Sequence, residues 1–278
     1  MARGIQASAF RAKYGPWALV AGASAGLGAQ YATQLGALGL NVALVARRAP
    51  ELEALAASLR QRRRVEARTL ALDLAREDAA ATLDQWTSDL DVGLLVYNAA
   101  RSPVGPFLDL SLDEHMAELS VNTRTPMELA WRFGQRFRAR GRGGVVLMSS
   151  MSASFGTGLA SNYAATKAYT LVLAEGLWDE LRAYGVDVVA ATPAVIAADT
   201  SQPPGAKRLR MPSTTLTPED VARGTLAALG HGPGVTPGAT LKLAAFFMRR
   251  VLPHRAAIRM MGSAMRSRYG EPPAASPS

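Results

Sequence analysis

Residues 17–28 read Trp17-Ala18-Leu19-Val20-Ala21-Gly22-Ala23-Ser24-Ala25-Gly26-Leu27-Gly28. The first five are a short apolar run, the pattern of a buried strand. The next seven set three glycines in a turn, and an Ala-rich helical stretch follows to about Leu38. Strand, glycine turn and helix, in that order, give the glycines a purpose. They let the backbone approach a pyrophosphate, and the helix N-terminus offers free N–H groups and a positive dipole end. A tight turn with no ligand is the plainer alternative.

Working outward, the same alternation repeats. Asn41 to Ala46 reads as a second strand, Pro50 to Arg63 as a helix, and Val65 to Leu72 as a third strand. Helix returns around Arg76 to Asp89, and Val92 to Tyr97 is a fourth apolar strand. Leu112 to Arg140 reads as one long helix carrying Asn122. Gly144 to Ser149 is strand five, Ser161 to Tyr184 a helix, Val186 to Thr192 strand six, and Val235-Thr236 a short seventh. Continuously apolar strands alternating with helices predict a parallel sheet covered on both faces. The expected fold is α/β, a single-domain, Rossmann-type, doubly wound sheet of about seven strands.

The second strand ends at Arg47-Arg48. At that position an acid bonds the free ribose 2′-hydroxyl of a dinucleotide, and an arginine accommodates a 2′-phosphate. Two arginines and no acid favour NADP over NAD, although one arginine can simply begin the next helix.

A second motif lies far downstream. Tyr163 and Lys167 are four residues apart and share one helix face, and Ser150 follows the apolar run Val145-Val146-Leu147-Met148. A hydroxyl at a strand's carboxyl end, facing a Tyr–Lys pair, is a proton-transfer arrangement. The ammonium favours phenolate over phenol. Tyr and Lys at this spacing are common on ordinary surface helices. The cation usage argues the other way: the chain has four lysines, Lys13, Lys167, Lys207 and Lys242, against 27 arginines. A lysine in such a chain points to a need for a compact point charge.

Composition narrows the remaining classes. The 278 residues are 49% hydrophobic, enough for one large core. The absence of cysteine excludes disulfides and thiol chemistry. His115, His231 and His254 show no ligand spacing, so no metal site is expected. The net charge of +9 suits anionic cofactors or lipid surfaces, but the arginines are scattered and no nucleic-acid binding is expected. No signal peptide or membrane-spanning run is apparent, so a cytoplasmic protein is expected.

Residues 1–238 are expected to form the dinucleotide-binding and catalytic domain. Within it, 193–217 is Pro-rich and irregular and would act as a substrate loop. Thr217-Pro218-Glu219-Asp220 opens a helix well. Residues 239–278 are expected to form a basic amphipathic extension, with Ile258, Met261 and Met265 on one face and a disordered end. Packing on its own protein is the default; covering the substrate cleft, joining an interface or lying on a membrane are alternatives.

Taken together, Gly22, Gly26, Gly28, Asp73, Asn98-Ala99, Asn122, Ser150, Tyr163 and Lys167 resemble the short-chain dehydrogenase/reductase family in order and spacing, over residues 14–236. Tyr14-Gly15-Pro16-Trp17-Ala18, Tyr31 and Val45-Ala46-Arg47 look like its branch of 3-oxoacyl-CoA reductases and hydroxysteroid dehydrogenases. The resemblance implies that Asn122, Ser150, Tyr163 and Lys167 form the catalytic tetrad. Tyr163 would protonate the substrate oxygen, Ser150 would polarise the carbonyl, Lys167 would hold the nicotinamide ribose, and Asn122 would hold a relaying water. Ser24 with Arg47 would take the 2′-phosphate, Asp73 with Leu74 the adenine, and Asn98 the ribose. Leu27, Arg48, Ala99, Pro193 and Ile196 complete the expected cofactor set.

Ala21, Ala25, Tyr97, Ala100, Ala194 and Ala198 depart from the family pattern. The reading is an NADP-dependent oxidoreductase interconverting a ketone and a secondary alcohol on a small hydrophobic substrate: a 3-oxoacyl thioester, a steroid or another lipophilic ketone. A homodimer or homotetramer is implied by the family. The departures motivate an alternative, a nucleotide-binding sensor or membrane-surface scaffold with little turnover.

Overall fold

The computed structural model describes residues 5–193, 216–237 and 253–270. Seven strands form one sheet: β1 (Trp17–Ala21), β2 (Asn41–Ala46), β3 (Ala67–Ala71), β4 (Val92–Tyr97), β5 (Gly143–Met148), β6 (Val186–Ala191) and β7 (Gly234–Val235). Their order is β3-β2-β1-β4-β5-β6-β7, and every neighbouring pair is parallel. The chain winds outward from β1 to β3 and then returns to β4 beside β1. That reversal leaves a crevice at the carboxyl ends of β1 and β4, the place where open α/β sheets bind ligands.

The alternation along β1 shows how both faces are filled. Ala18 and Val20 join one core with Phe10 and Tyr14 of α1 (Ala7–Tyr14), Tyr31 and Leu35 of α2 (Gly26–Ala37), and Leu52 and Leu59 of α3 (Ala49–Arg63). Trp17, Leu19 and Ala21 join the other core, with Leu83 of α4 (Ala79–Trp86). Strand side chains point to opposite faces in turn, so a strand covered on both sides must be apolar throughout. Neither α1 nor its docking by Phe10 and Tyr14 is foreseen by the sequence reading. Strand three and the helix after it are shorter than expected.

The expected long helix over 112–140 is interrupted. It consists of α5 (Leu112–Leu119), a π turn (Ser120–Arg124) and α6 (Thr125–Arg140). Pro126 has no N–H, so the carbonyl of Asn122, four residues earlier, loses its helical donor. The ladder widens instead, with Thr125 N donating to Ser120 O. Beyond the turn, Leu129, Phe133 and Phe137 are fully buried on the sheet. Truncating such a phenylalanine to Ala costs about 3–5 kcal/mol.

Helix α7 (Ser161–Leu181) packs beside α6, with Leu171 and Ala174 in the same core. Helix α8 (Pro218–Ala228) opens as expected, with Thr217 Oγ1 accepting from Asp220 N at 3.1 Å. Helix α9 (His254–Tyr269) lies against the segment that follows β5. The rings of Phe155 and His254 are 5.8 Å apart. A Cβ on Gly158 would stand 3.9 Å from Gly262 Cα. The buried face of α9 centres on Ala257 and Gly262, whereas Ile258 is exposed. Of the expected face, Met261 and Met265 are half-buried beside it and only Ile258 falls outside. Most of 193–217 and of the 239–278 extension lies outside the described residues.

Candidate active site

The glycine turn joins β1 to α2. Gly22 and Ala23 donate N–H bonds to Val45 O at 2.7 and 3.1 Å, which ties the turn to β2. Gly22 has φ +85°, and a Cβ there would lie 2.6 Å from Ala99 N. A Cβ on Gly28 would lie 1.9 Å from Gly22 O, so the first turn of α2 closes on the loop only with glycine. Gly26 also has positive φ, +54°. Asn98 Nδ2 donates to Gly22 O at 3.2 Å, and Asn98 N and Ala99 N both donate to Ala21 O. The end of β4 thus braces the turn.

The N-terminus of α2 carries no side-chain cap and no acid in its first turn. Its leading N–H groups face the turn, and no carboxylate of the first turn competes for them. Ser24 Oγ accepts from Arg48 Nη2 at 3.0 Å, and Arg48 also pairs with Glu51. The arginine that reaches Ser24 is therefore Arg48 rather than Arg47, while Arg47 stands exposed where β2 ends. Asp73 is exposed after β3, and its Oδ1 accepts from Ala75 N at 3.0 Å. Leu74 is buried beside it, and its carbonyl accepts from Thr125 Oγ1. Leu27 packs on the core under the turn. Pro193 O accepts from Met151 N at 3.2 Å, beside Ser150. Ile196, Ala194 and Ala198 lie outside the described residues.

The catalytic candidates converge from β5, the π turn and α7. Lys167, 3% exposed, donates from Nζ to Met148 O at 2.8 Å, and Ser149 Oγ donates to Lys167 O at 2.7 Å. These two bonds lock α7 to the end of β5, where Ser150 follows. Ser150 Oγ accepts from Ser152 N at 3.2 Å and opens a short 3-10 turn. Lys167 Nζ lies 5.5 Å from the centre of the Tyr163 ring. Burial lowers Lys167 from 10.5 to about 8, and the charge of Glu118 opposes that fall.

Asn122, 2% exposed, is fixed at every polar atom of its side chain. Oδ1 accepts from Arg101 N at 2.9 Å; Nδ2 donates to Arg101 O at 2.8 Å and Thr166 Oγ1 at 3.1 Å. Its freed carbonyl accepts from Thr170 Oγ1 at 3.3 Å. The residue clamps the loop after β4 to α7. Tyr97, a departure from the family pattern, turns its hydroxyl inward and donates to Val121 O at 2.6 Å. It supports the residue before Asn122 from below, and burial pushes its hydroxyl well above the ordinary tyrosine range.

Sequence reasoning missed Ser149, Thr166, Thr170, Arg101 and Tyr97 as supports. A usable signal was Pro126, which frees the carbonyl four residues back. Among the described residues, no cluster of three His, Asp or Glu could hold a metal ion, and no helix is long and apolar enough to cross a membrane.

The comparisons agree with this fold. A family model described as short chain dehydrogenase matches residues 16–208. A 7beta-hydroxysteroid dehydrogenase of Clostridium sardiniense is 32% identical over 227 residues, covering 80% of this chain and 85% of the relative. A very-long-chain 3-oxoacyl-CoA reductase of Ajellomyces capsulatus is 30% identical, covering 81% and 67%. A solved structure from a study of 7beta-hydroxysteroid dehydrogenase stereoselectivity superposes with TM-score 0.84 at 30% identity, covering 91% of this chain and 98% of the other. A short-chain dehydrogenase from Sphingobium yanoikuyae in complex with NADPH gives TM-score 0.72 at 26% identity, covering 95% and 98%.

Proposed function

Because the chain belongs to the short-chain dehydrogenase family and is an NAD(P)-dependent oxidoreductase, we propose that it interconverts a ketone and a secondary alcohol on a hydrophobic substrate, with NADP as cofactor. The observation that carries this reading is the Tyr163–Lys167 pair, with the ammonium 5.5 Å from the ring and tied to the end of β5 beside Ser150. In reduction, the Tyr163 hydroxyl gives its proton to the substrate oxygen; in oxidation, the phenolate takes it back. Ser150 donates to the same oxygen and stabilises the charge that develops there. The Lys167 ammonium favours the phenolate and holds the ribose hydroxyls. The nicotinamide, when bound, supplies or accepts the hydride. Asn122, immobilised on both sides, carries the water that relays protons to Lys167.

The cofactor assignment rests on the fit of the turn. Glycines crowd the backbone where a pyrophosphate would lie, and the first turn of α2 has no competing acid. Ser24, Arg47 and Arg48 would take the 2′-phosphate. Arg48 is already seated on Ser24. For the substrate we favour a steroid ketone over a 3-oxoacyl thioester, because the hydroxysteroid dehydrogenase relative is matched over 85% of its length and the oxoacyl reductase over 67%. Helix α9, lying on the segment after β5, supports a cover over the substrate side. The exposed apolar residues Met127 and Trp131 of α6, and Tyr169 and Val172 of α7, support assembly with a second copy. Trp131 and Val172 are 63% and 65% exposed.

The test is fluorescence titration of the purified protein with NADPH and NADH, read beside turnover on steroid ketones, 3-oxoacyl thioesters and aromatic ketones. The expected result is tighter NADPH binding, a preference erased in a double variant with Arg47→Asp and Arg48→Asp, and oxidation of NADPH by a steroid ketone. Binding of neither nucleotide would end the reading.

A further inference from the structure

The proposed reaction assigns nothing to Tyr97, yet its side chain reaches the turn that carries Asn122. Tyr97 is the last residue of β4, buried, and in register with Ala21 of β1 and Leu147 of β5. It shares a core with Leu129 and Phe133 of α6. Its hydroxyl donates to Val121 O at 2.6 Å. The next residue, Asn98, bonds Gly22 O in the glycine turn. The end of β4 is thus tied to the π turn by one side chain and to the glycine turn by the following one.

The backbone explains why a hydroxyl is needed there. A carbonyl in an α-helix accepts from the N–H four residues on, and in a π turn from the one five residues on. For Val121 O these are Thr125 and Pro126. Thr125 N is engaged by Ser120 O, and proline has no N–H. For Asn122 O the α-helical donor would be Pro126 itself. One proline therefore takes a backbone donor from two successive carbonyls, both on buried residues. A buried carbonyl without a donor is costly. Two hydroxyls approach from outside the helix. Tyr97 reaches Val121 O, and Thr170 Oγ1 lies 3.3 Å from Asn122 O. They are unequal, because Thr170 Oγ1 stands closer to Thr166 O, at 2.9 Å, and has one hydrogen for the two.

We propose that Tyr97 is a positioning residue of the active site, whose hydroxyl replaces the backbone donor that Pro126 removes and so holds the π turn in the phase that presents Asn122 to Arg101 and Thr166. Asn122 depends on that phase. Its side chain makes three bonds of 2.8, 2.9 and 3.1 Å to the loop after β4 and to α7. A turn that relaxed towards plain α-helix would rotate the residue away from both. The tyrosine at 97 and the proline at 126 are then two parts of one arrangement: the proline opens the helix, and the tyrosine fixes how far. The consequence for catalysis rests on the assignment of Asn122 to the catalytic site.

The experiment is a double-mutant cycle on the full-length protein, followed by urea unfolding. Tyr97→Phe keeps the ring and removes the hydroxyl, and the unfolding constant should rise about tenfold. Pro126→Ala returns an N–H within helical reach of both carbonyls. In that background Tyr97→Phe should change the unfolding constant by no more than about twofold. Equal effects in the two backgrounds would overturn the proposal, because a side chain that only packs does not sense the donor at 126. If Tyr97→Phe does not fold alone, the double variant is expected to fold, and failure of both would also overturn it. Positioning is measured separately. The chain has four asparagines, Asn41, Asn98, Asn122 and Asn162, so [15N]asparagine labelling gives four side-chain amide pairs. Loss of one pair in Asn122→Asp assigns it. In Tyr97→Phe the Asn122 pair should shift while the Asn41 pair stays; an unmoved Asn122 pair would mean that the hydroxyl stabilises without positioning, and the role would fall. No substrate is needed, so a failed oxidoreductase assay and a failed cycle remain distinguishable.

Discussion

The two halves of the crevice are built by different means. Around β1, α2 and the end of β4, the proposed nucleotide side is made of backbone: Gly22 and Gly28 in close approach, and N–H groups returned to Ala21 and Val45. Across the reversal, the proposed catalytic side is made of buried or half-buried polar side chains on α5, the π turn, the end of β5 and α7, tied between elements: Asn122 to Thr166, Ser149 to Lys167, Glu118 to Asn162. A backbone site fails when a side chain is added. A side-chain site fails when one functional atom is removed, and its groups carry the cost of burial.

Each prediction breaks one half and leaves the other. Tyr163→Phe removes one hydroxyl from the catalytic side. Turnover should fall by about 10²–10⁴-fold with NADPH affinity unchanged; a variant that retains full turnover, or that loses nucleotide binding, would erase the distinction between the halves.

The next effect is on stability and depends on pH. Lys167 has a folded value of about 8 against 10.5 for the free side chain. The depressed value means that the folded protein holds this proton less tightly, so the unfolded chain binds more protons between about 8 and 10.5. Stability contributed by this group must therefore rise as pH climbs through that window. By that gap, urea unfolding of the parent should gain on the order of 3 kcal/mol relative to Lys167→Met across the window. Parallel curves for the two proteins would show that Lys167 is not desolvated.

The smallest effect belongs to the nucleotide side. Gly28→Ala drives a methyl into Gly22 O and should cost about 1–3 kcal/mol of stability. Binding of NADPH should weaken at least about tenfold, while the Lys167 titration midpoint stays where it was. A shifted midpoint would mean that the halves are mechanically coupled.

The same contrast explains what could be read in the chain alone. The nucleotide side is contiguous: strand, glycines and helix fall within 22 residues, and strands β1, β2 and β4 match their expected bounds residue for residue. The parallel sheet followed from continuous apolar runs. Asn122, Ser150, Tyr163 and Lys167 stand out in the chain as a pattern, and the structure ties Lys167 to the end of β5, next to Ser150, and sets its ammonium 5.5 Å from the Tyr163 ring. Their supports were not legible, because Glu118 and Asn162, or Asn122 and Thr170, are neighbours only after the sheet has formed. Local patterns cannot report a bond between residues more than forty positions apart. The Arg48–Ser24 bond was likewise not legible: which of two adjacent arginines reaches back to the turn depends on where α3 begins. Helix α1 escaped notice because its sequence is weakly amphipathic and only Phe10 and Tyr14 bury.

The π turn at Ser120–Arg124 also sets a phase. An α-helix advances about 100° per residue, so the extra residue accommodated there fixes the rotation of all that follows. Upstream, Glu118 faces α7; downstream, Leu129, Phe133 and Phe137 face the sheet and Trp131 faces outward. Deleting a single residue from 120–124 would turn α6 by roughly a quarter revolution, aiming its phenylalanines away from the core and its tryptophan towards it. Asn122 apart, the segment should tolerate changes of identity more readily than changes of length, because its residue count sets the phase in which α5 and α6 meet the rest of the fold.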